Sequence, residues 1–127
     1  MSLFTQLNAQ GSVLRAALQG SAKRNSVIAH NIANADVPGF NARRVEFEQQ
    51  LIDAIGHYPH PRHRNPDVSG VTPTVRYQNP HFYYRIDGNN VDIEVEMVKL
   101  YQNSMKFDTI VSSLTANSQM MRSVLQQ

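Results

Sequence analysis

The chain has no cysteine, which removes disulfides and thiolate metal sites from consideration. It has no apolar run near the ~20 residues that span a bilayer as a helix. The opening stretch, MSLFTQLNAQGSVLRAAL, lacks the continuous apolar core of a cleaved secretory signal. By ordinary rules this is a cytoplasmic chain, unless it leaves by a route that reads no such signal. The net charge is only +2 over 127 residues despite a pI near 9.2, too small an excess to imply nucleic acid. There is no G-x-S-x-G elbow, no phosphate-binding loop and no zincin motif. No acid precedes Asp36, and no proline or glycine follows Gly88.

That last absence leaves the second half of the chain free to form one long helix. From Ile93 the apolar positions are Ile93, Met97, Leu100, Phe107, Val111, Leu114, Met121 and Leu125, with Ser104 and Ser118 completing steps of four and three. This is a heptad pattern. Gly88-Asn89-Asn90 is a turn signal, and Asn90 or Asp92 is suited to accept hydrogen bonds from the first-turn amides. Asp92, Glu94 and Glu96 put negative charge at the positive end of the helix dipole. A helix from Ile93 to Gln127 is roughly 50 Å long at 1.5 Å per residue. That is about three times the length of the ordinary globular helix.

The first segment carries a weaker stripe. Leu7, Leu14, Leu18, Ile28 and Ile32 share one face, with Gly11, Ser21 and Asn25 on the same seam. Gly11 and Gly20 each cost roughly 1 kcal/mol in a helix interior, so this helix is expected to be marginal in the free chain. Two readings of the stripes stand side by side. One is an intramolecular helix pair; the other is a seam completed by further chains. Each buried Leu, Ile or Phe contributes roughly 1.5–3 kcal/mol, so a chain loose on its own would become ordered when packed. In either reading the fold class is mainly α: two long terminal helices in a coiled-coil-like pair, with a small irregular, β-containing middle.

Between the helices, Pro38 lacks an amide hydrogen and pushes Val37 out of helical geometry. Gly39 supplies the positive φ that a type II turn requires. Asn31, Asn34 and Asp36 are placed to bond free backbone groups at the helix end. With its flanks this turn becomes specific. SVIAHNIANADVPGFNARRVEFEQQL resembles the amino-terminal signature of flagellar basal-body rod and hook proteins, with Asn31, Ile32, Ala33, Asn34, Ala35, Pro38, Gly39 and Phe40 matching directly. Val37 stands where that family more often has threonine or serine. Ala42 to Glu48 looks like the stretch that marks the family's proximal-rod members. GNNVDIEVEMVKLYQNSMKFDTIVSSLTANSQMMRSVL is similar to their carboxy-terminal helix. The resemblance covers the first ~50 and last ~40 residues, counted on the sequence.

The resemblance implies a structural subunit of the proximal rod. Its terminal helices would lie side by side in the inner layer of a hollow axial structure, built by a helical operator that passes torque from membrane ring to filament. It implies export as an unfolded chain through the flagellar type III apparatus without a cleaved signal, and a place in the basal body spanning the periplasm. The implied partners are other copies of the chain, other rod proteins, the adaptor joining rod to membrane ring, the membrane ring and the export apparatus. No nucleic acid, small-molecule substrate or cofactor is implied. The rivals are another short rod subunit and a helical adaptor of a type III secretion machine.

The expected organisation is a helix over 1–35, the Pro-Gly turn and following segment over 36–55, a variable loop over 56–90 with short strands, and the last helix over 91–127. In the loop, His57, His60 and His63 are spaced by three, but Pro59 and Pro61 forbid the helix that would converge them, and no acid orients an imidazole. A polar loop is the reading, with no metal site. Val71 to Ile86 is rich in strand formers interrupted by Pro73 and Pro80, which suggests a small hairpin or an extended segment on a helix. Arg43, Arg44, Arg62 and Arg64 with five tyrosines do not make a recognition helix. The expected assembly interface is therefore Leu7, Leu14, Leu18, Ile28 and Ile32 with Leu100, Phe107, Val111, Leu114, Met121 and Leu125. The turn of Asn31, Asn34, Asp36, Pro38, Gly39 and Phe40 sets where the chain leaves the helices.

Overall fold

The computed structural model of the chain describes residues 2–56, 66–78 and 85–126. Its elements in order are α1 (Leu3–Ala33), β1 (Arg43–Glu46), α2 (Glu48–Gly56), β2 (Thr74–Tyr77) and α3 (Ile93–Leu125). Helix α1 opens on Ser2, whose hydroxyl accepts from the Thr5 amide at 3.2 Å. It cannot run on far beyond Ala33, because Pro38 has no N–H to give to the Asn34 carbonyl. Helix α3 opens on Asp92, whose Oδ1 accepts from the amides of Glu94 and Val95 at 3.0 and 3.2 Å. Of the two expected caps, Asp92 does this work.

The two long helices pack antiparallel along much of their length. Asn31 meets Glu96 at one end, Ser21 and Asn25 meet Asn103 in the middle, and Leu7 and Gln10 meet Asn117 towards the other. The α1 stripe lies on this contact: Leu7 and Ile28 are buried, and Leu14, Leu18 and Ile32 are half-buried. On α3 the innermost row is Glu96, Asn103 and Asn117, all buried, with Ile110 and Val124 half-buried at the intervening seven-residue steps. The expected seam lies one residue along from it. Leu100, Phe107, Leu114 and Met121 flank the inner row and are half-buried, whereas Met97, Val111 and Leu125 face outward. Polar residues on an inner heptad row give up stability and fix register, because only one alignment satisfies them.

The middle departs from expectation in its pairing. Strand β2 finds no partner strand among the described residues of 71–86. It pairs antiparallel with β1, with Val45 opposite Val75 and Arg43 opposite Tyr77, and the Gln78 amide extends the ladder to the Ala42 carbonyl at 2.7 Å. This gives the extended segment a backbone partner that the local sequence does not advertise. The nine-residue α2 lies within the segment expected only to follow the turn. His57, His60 and His63, and the strand formers Phe82, Tyr83 and Tyr84, lie outside the described residues.

Two small apolar clusters hold these pieces on the helix pair. Val27, Val45 and Phe47 pack together with Leu51 of α2. Ala35, Ala42 and Val91 pack with Phe40. Gly20 earns its place in the helix here: a Cβ on it would stand 2.4 Å from the Phe47 ring. The roughly 1 kcal/mol of helix propensity lost at Gly20 is offset by the burial of an aromatic side chain, worth roughly 1.5–3 kcal/mol.

Candidate assembly site

The corner where α1 ends and α3 begins is closed by three asparagines. Asn31 is fully buried. Its Nδ2 donates to the Arg43 carbonyl at 2.7 Å and to Glu96 Oε2 at 2.9 Å, and its Oδ1 accepts from the Arg43 amide at 2.9 Å. The side-chain amide thus imitates a strand edge towards Arg43 while holding the first turns of α3. Glu96 is satisfied on its other oxygen by Lys99 Nζ at 2.7 Å. Asn89, also fully buried, directs Nδ2 at the carbonyls of Asn34, Ala35 and Val37 at 3.1, 2.9 and 2.8 Å. Carbonyls just past the end of α1 thereby gain a donor 52 to 55 positions away, beside the turn amides and Arg85 that also reach them. Asn90 accepts from the Ala42 amide at 2.6 Å and donates to Asn41 Oδ1 at 2.8 Å. It serves the incoming strand rather than the start of α3.

The signature turn fits into this lock. Phe40 donates its amide to the Val37 carbonyl at 3.2 Å, and Gly39 has φ +71°, the left-handed value that the third position of a type II turn needs. The Gly39 amide donates to Asp87 O at 2.9 Å, joining the turn to the segment before α3. Asn34 folds back on α1, with Nδ2 on the His30 carbonyl at 2.7 Å. Asp36 is exposed and faces Arg85 at 3.4 Å, a contact worth little in water. Pro38 is exposed, and Phe40 is half-buried with its ring edge-on to His30, centroids 5.7 Å apart.

A second tether fixes α2. Arg24 donates to the Val45 carbonyl at 3.1 Å, pairs with Glu48, and lies over the Phe47 ring at 5.0 Å. Partial burial of Glu48 pulls its carboxyl upward. The hydrogen bonds and charge of Arg24, with nearby backbone amides, outweigh that pull and hold it below its ordinary value.

Beyond the corner, large apolar side chains stay in water. On α3 these include Ile93, Met97, Val98 and Tyr101, the last 69% exposed. At the far end Leu3, Phe4, Met120 and Leu125 are exposed. Among the described residues no group of three His, Asp or Glu side chains is arranged to hold a metal ion, and no helix is long and apolar enough to cross a membrane.

The sequence reading missed the polar members of this site: Asn89, Glu96, Asn103 and Asn117. Such residues look like surface in a hydrophobic count. The available signal was spacing, since Glu96, Asn103 and Asn117 fall on one heptad position, and small residues on α1 face two of them. Ser21 Oγ donates to Asn103 Oδ1 at 3.2 Å, and a Cβ on Gly11 would come 3.2 Å from Asn117 Oδ1.

A helix pair with a polar-locked corner and uncovered apolar flanks defines the class: a structural protein made to be packed among neighbours. Comparison with known proteins agrees. The family model described as "Flagella basal body rod protein" matches residues 12–41, which run from within α1 through the turn. The flagellar basal body rod protein FlgB of Yersinia ruckeri is 32% identical, with 87% of this chain and 89% of that protein covered. FlgB of Aeromonas hydrophila is 36% identical over 73% of this chain and 74% of its own. FlgB of Bacillus subtilis is 30% identical over 98% and 97%. The chain belongs to the FlgB family of flagellar basal body rod proteins, a structural family and not an enzyme family.

Proposed function

We propose that this chain is a proximal-rod subunit that assembles with copies of itself and with other rod proteins through its two long helices, and that the resulting stack passes torque along the flagellar axis. The observation that carries this is the contrast on α3. Its inner row is satisfied within the chain, while Ile93, Met97, Val98 and Tyr101 form an apolar face that nothing among the described residues covers. A face of that kind, on a helix whose register is fixed by buried polar groups, suits a rigid part with heterologous neighbours. The expected interface residues Val111 and Leu125 are exposed and available to such neighbours. Leu7, Leu14, Leu18, Ile28 and Ile32, with Leu100, Phe107, Leu114 and Met121, act by shaping the pair that neighbours meet. The same reading includes contacts with the adaptor, the membrane ring and the export apparatus, a position spanning the periplasm, and export without a cleaved signal.

The test is genetic and biochemical. In the source cell, deletion of this chain is expected to abolish motility, and an epitope-tagged copy is expected to restore it and to co-purify with detergent-extracted basal bodies. Full motility without the chain, or a tagged copy that restores motility while staying out of basal bodies, would refute the reading.

A further inference from the structure

Two adjoining hollows of about 540 and 420 Å³ run along the junction of α1 and α3, on the side where β1 and α2 sit, and they share Arg24, Asn103 and Lys106. Their walls include Val27, Val45, Phe47 and Ile110. Glu48 and Glu96 also line the trough but are paired with Arg24 and Lys99, which leaves two of its cations without an acidic partner among the described residues. Lys106 makes no ion pair among the described residues, and Arg43 has no acidic partner there either. The Arg43 Nε is buried without a hydrogen-bond partner.

The outward face of α3 has the opposite character. Ile93, Met97 and Tyr101 follow one another at steps of four and are exposed. At about 100° per residue, Glu94 and Asp108 fall on the same face. Both are exposed, and neither makes an ion pair among the described residues. One side of the molecule is thus an apolar row flanked by unpaired acids, and another is an apolar trough edged by unpaired cations.

We infer that the outward face of α3 in one copy docks into the α1–β1–α3 trough of the next. This rests on the rod reading and names the contact between copies within it. Apolar meets apolar and acid meets cation in this arrangement. Face against face would bring Glu94 and Asp108 onto their own kind, and trough against trough would do the same for Arg43 and Lys106, so a symmetric dimer is disfavoured on charge. Face into trough is a heterologous contact, and a heterologous contact that does not close generates an open helical array.

The chain has no cysteine, so introduced cysteines report the contact without background. Two differently tagged full-length copies, one carrying Tyr101→Cys and the other Lys106→Cys, are co-expressed in cells lacking the native chain, and isolated basal bodies are mildly oxidised. The mixed pair is expected to give roughly tenfold more disulfide dimer than either variant paired with itself, because docking raises the effective concentration of one site at the other. Met97→Cys with Arg43→Cys is a second, independent pair. Chains that reach basal bodies but give no mixed dimer in either pair, or that give mainly same-site dimers, overturn the docking and leave the rod reading standing. Chains that never reach basal bodies, with or without the substitutions, overturn the rod reading and this contact with it.

Discussion

The two ends of the helix pair are held in different ways. At the corner, Asn31, Asn89 and Asn90 are buried and bonded to backbone from three separate segments, so the end of α1, the start of β1 and the start of α3 are fixed as one piece. At the far end, Asn117 reaches the Leu7 carbonyl at 3.1 Å, and Leu3, Phe4, Met120 and Leu125 stand in water. One end is locked by a buried polar network; the other is tied through Asn117. The buried network fixes the corner without covering it, since Ile93, Met97, Val98 and Tyr101 beside it are as exposed as the apolar side chains of the far end.

The largest expected effect breaks the corner. Asn31→Leu removes the side-chain partner of Glu96 Oε2 and of both backbone groups of Arg43 in a buried site, and should cost about 3–5 kcal/mol in urea unfolding followed by circular dichroism. A loss under about 1 kcal/mol would show that the corner is not the stronger end. Gly20→Ala comes next: the added methyl meets the Phe47 ring at 2.4 Å, and overpacking should outweigh the gain in helix propensity for a net loss of about 1–2 kcal/mol. Gly39→Ala forces a side chain into a left-handed position and should cost about 1 kcal/mol, confined to corner amides in hydrogen exchange.

At the far end the expected effect is smaller. Asn117→Leu replaces an inner-row polar group with an apolar one of similar size and should change stability by less than about 1 kcal/mol, in either direction. What it should lose is register, seen as faster amide exchange around Leu7 and Gly11. A loss as large as that of Asn31→Leu would erase the contrast between the ends. The smallest effect concerns the α2 tether. Glu48 titrates below its ordinary value in the folded chain, so its contribution is complete at neutral pH. It fades as the pH falls into the ordinary carboxylate range and is gone once the pH has dropped through the lowered value. With the side chain about half exposed, the effect should be of order 0.5 kcal/mol or less. Glu48→Gln should remove that acid dependence of α2 amide exchange, and an unchanged profile would assign it elsewhere.

Much of the fold was legible in the sequence because its signals are local. The heptad steps after Gly88 announced α3, Asp92 announced its start, and Pro38-Gly39 announced a type II turn that the Phe40-to-Val37 hydrogen bond bears out. The pairing of β1 with β2 was not legible, since strand formers in Thr74–Tyr77 say nothing of a partner some thirty residues earlier. The inner row of α3 was misjudged by one residue for a similar reason. Counting apolar positions selects Met97, Val111 and Leu125, while Glu96, Asn103 and Asn117 look like surface until their partners on α1 are known.

The sequence by itself determined two long helices, where the second begins, and the turn that ends the first, because capping, proline geometry and hydrophobic spacing act within a few residues of chain. Only the tertiary structure decided which face of α3 turns inward and which stays exposed. A buried asparagine is stable only opposite a backbone group that can accept or donate, and such groups are brought together by contacts between residues 12 to 110 positions apart.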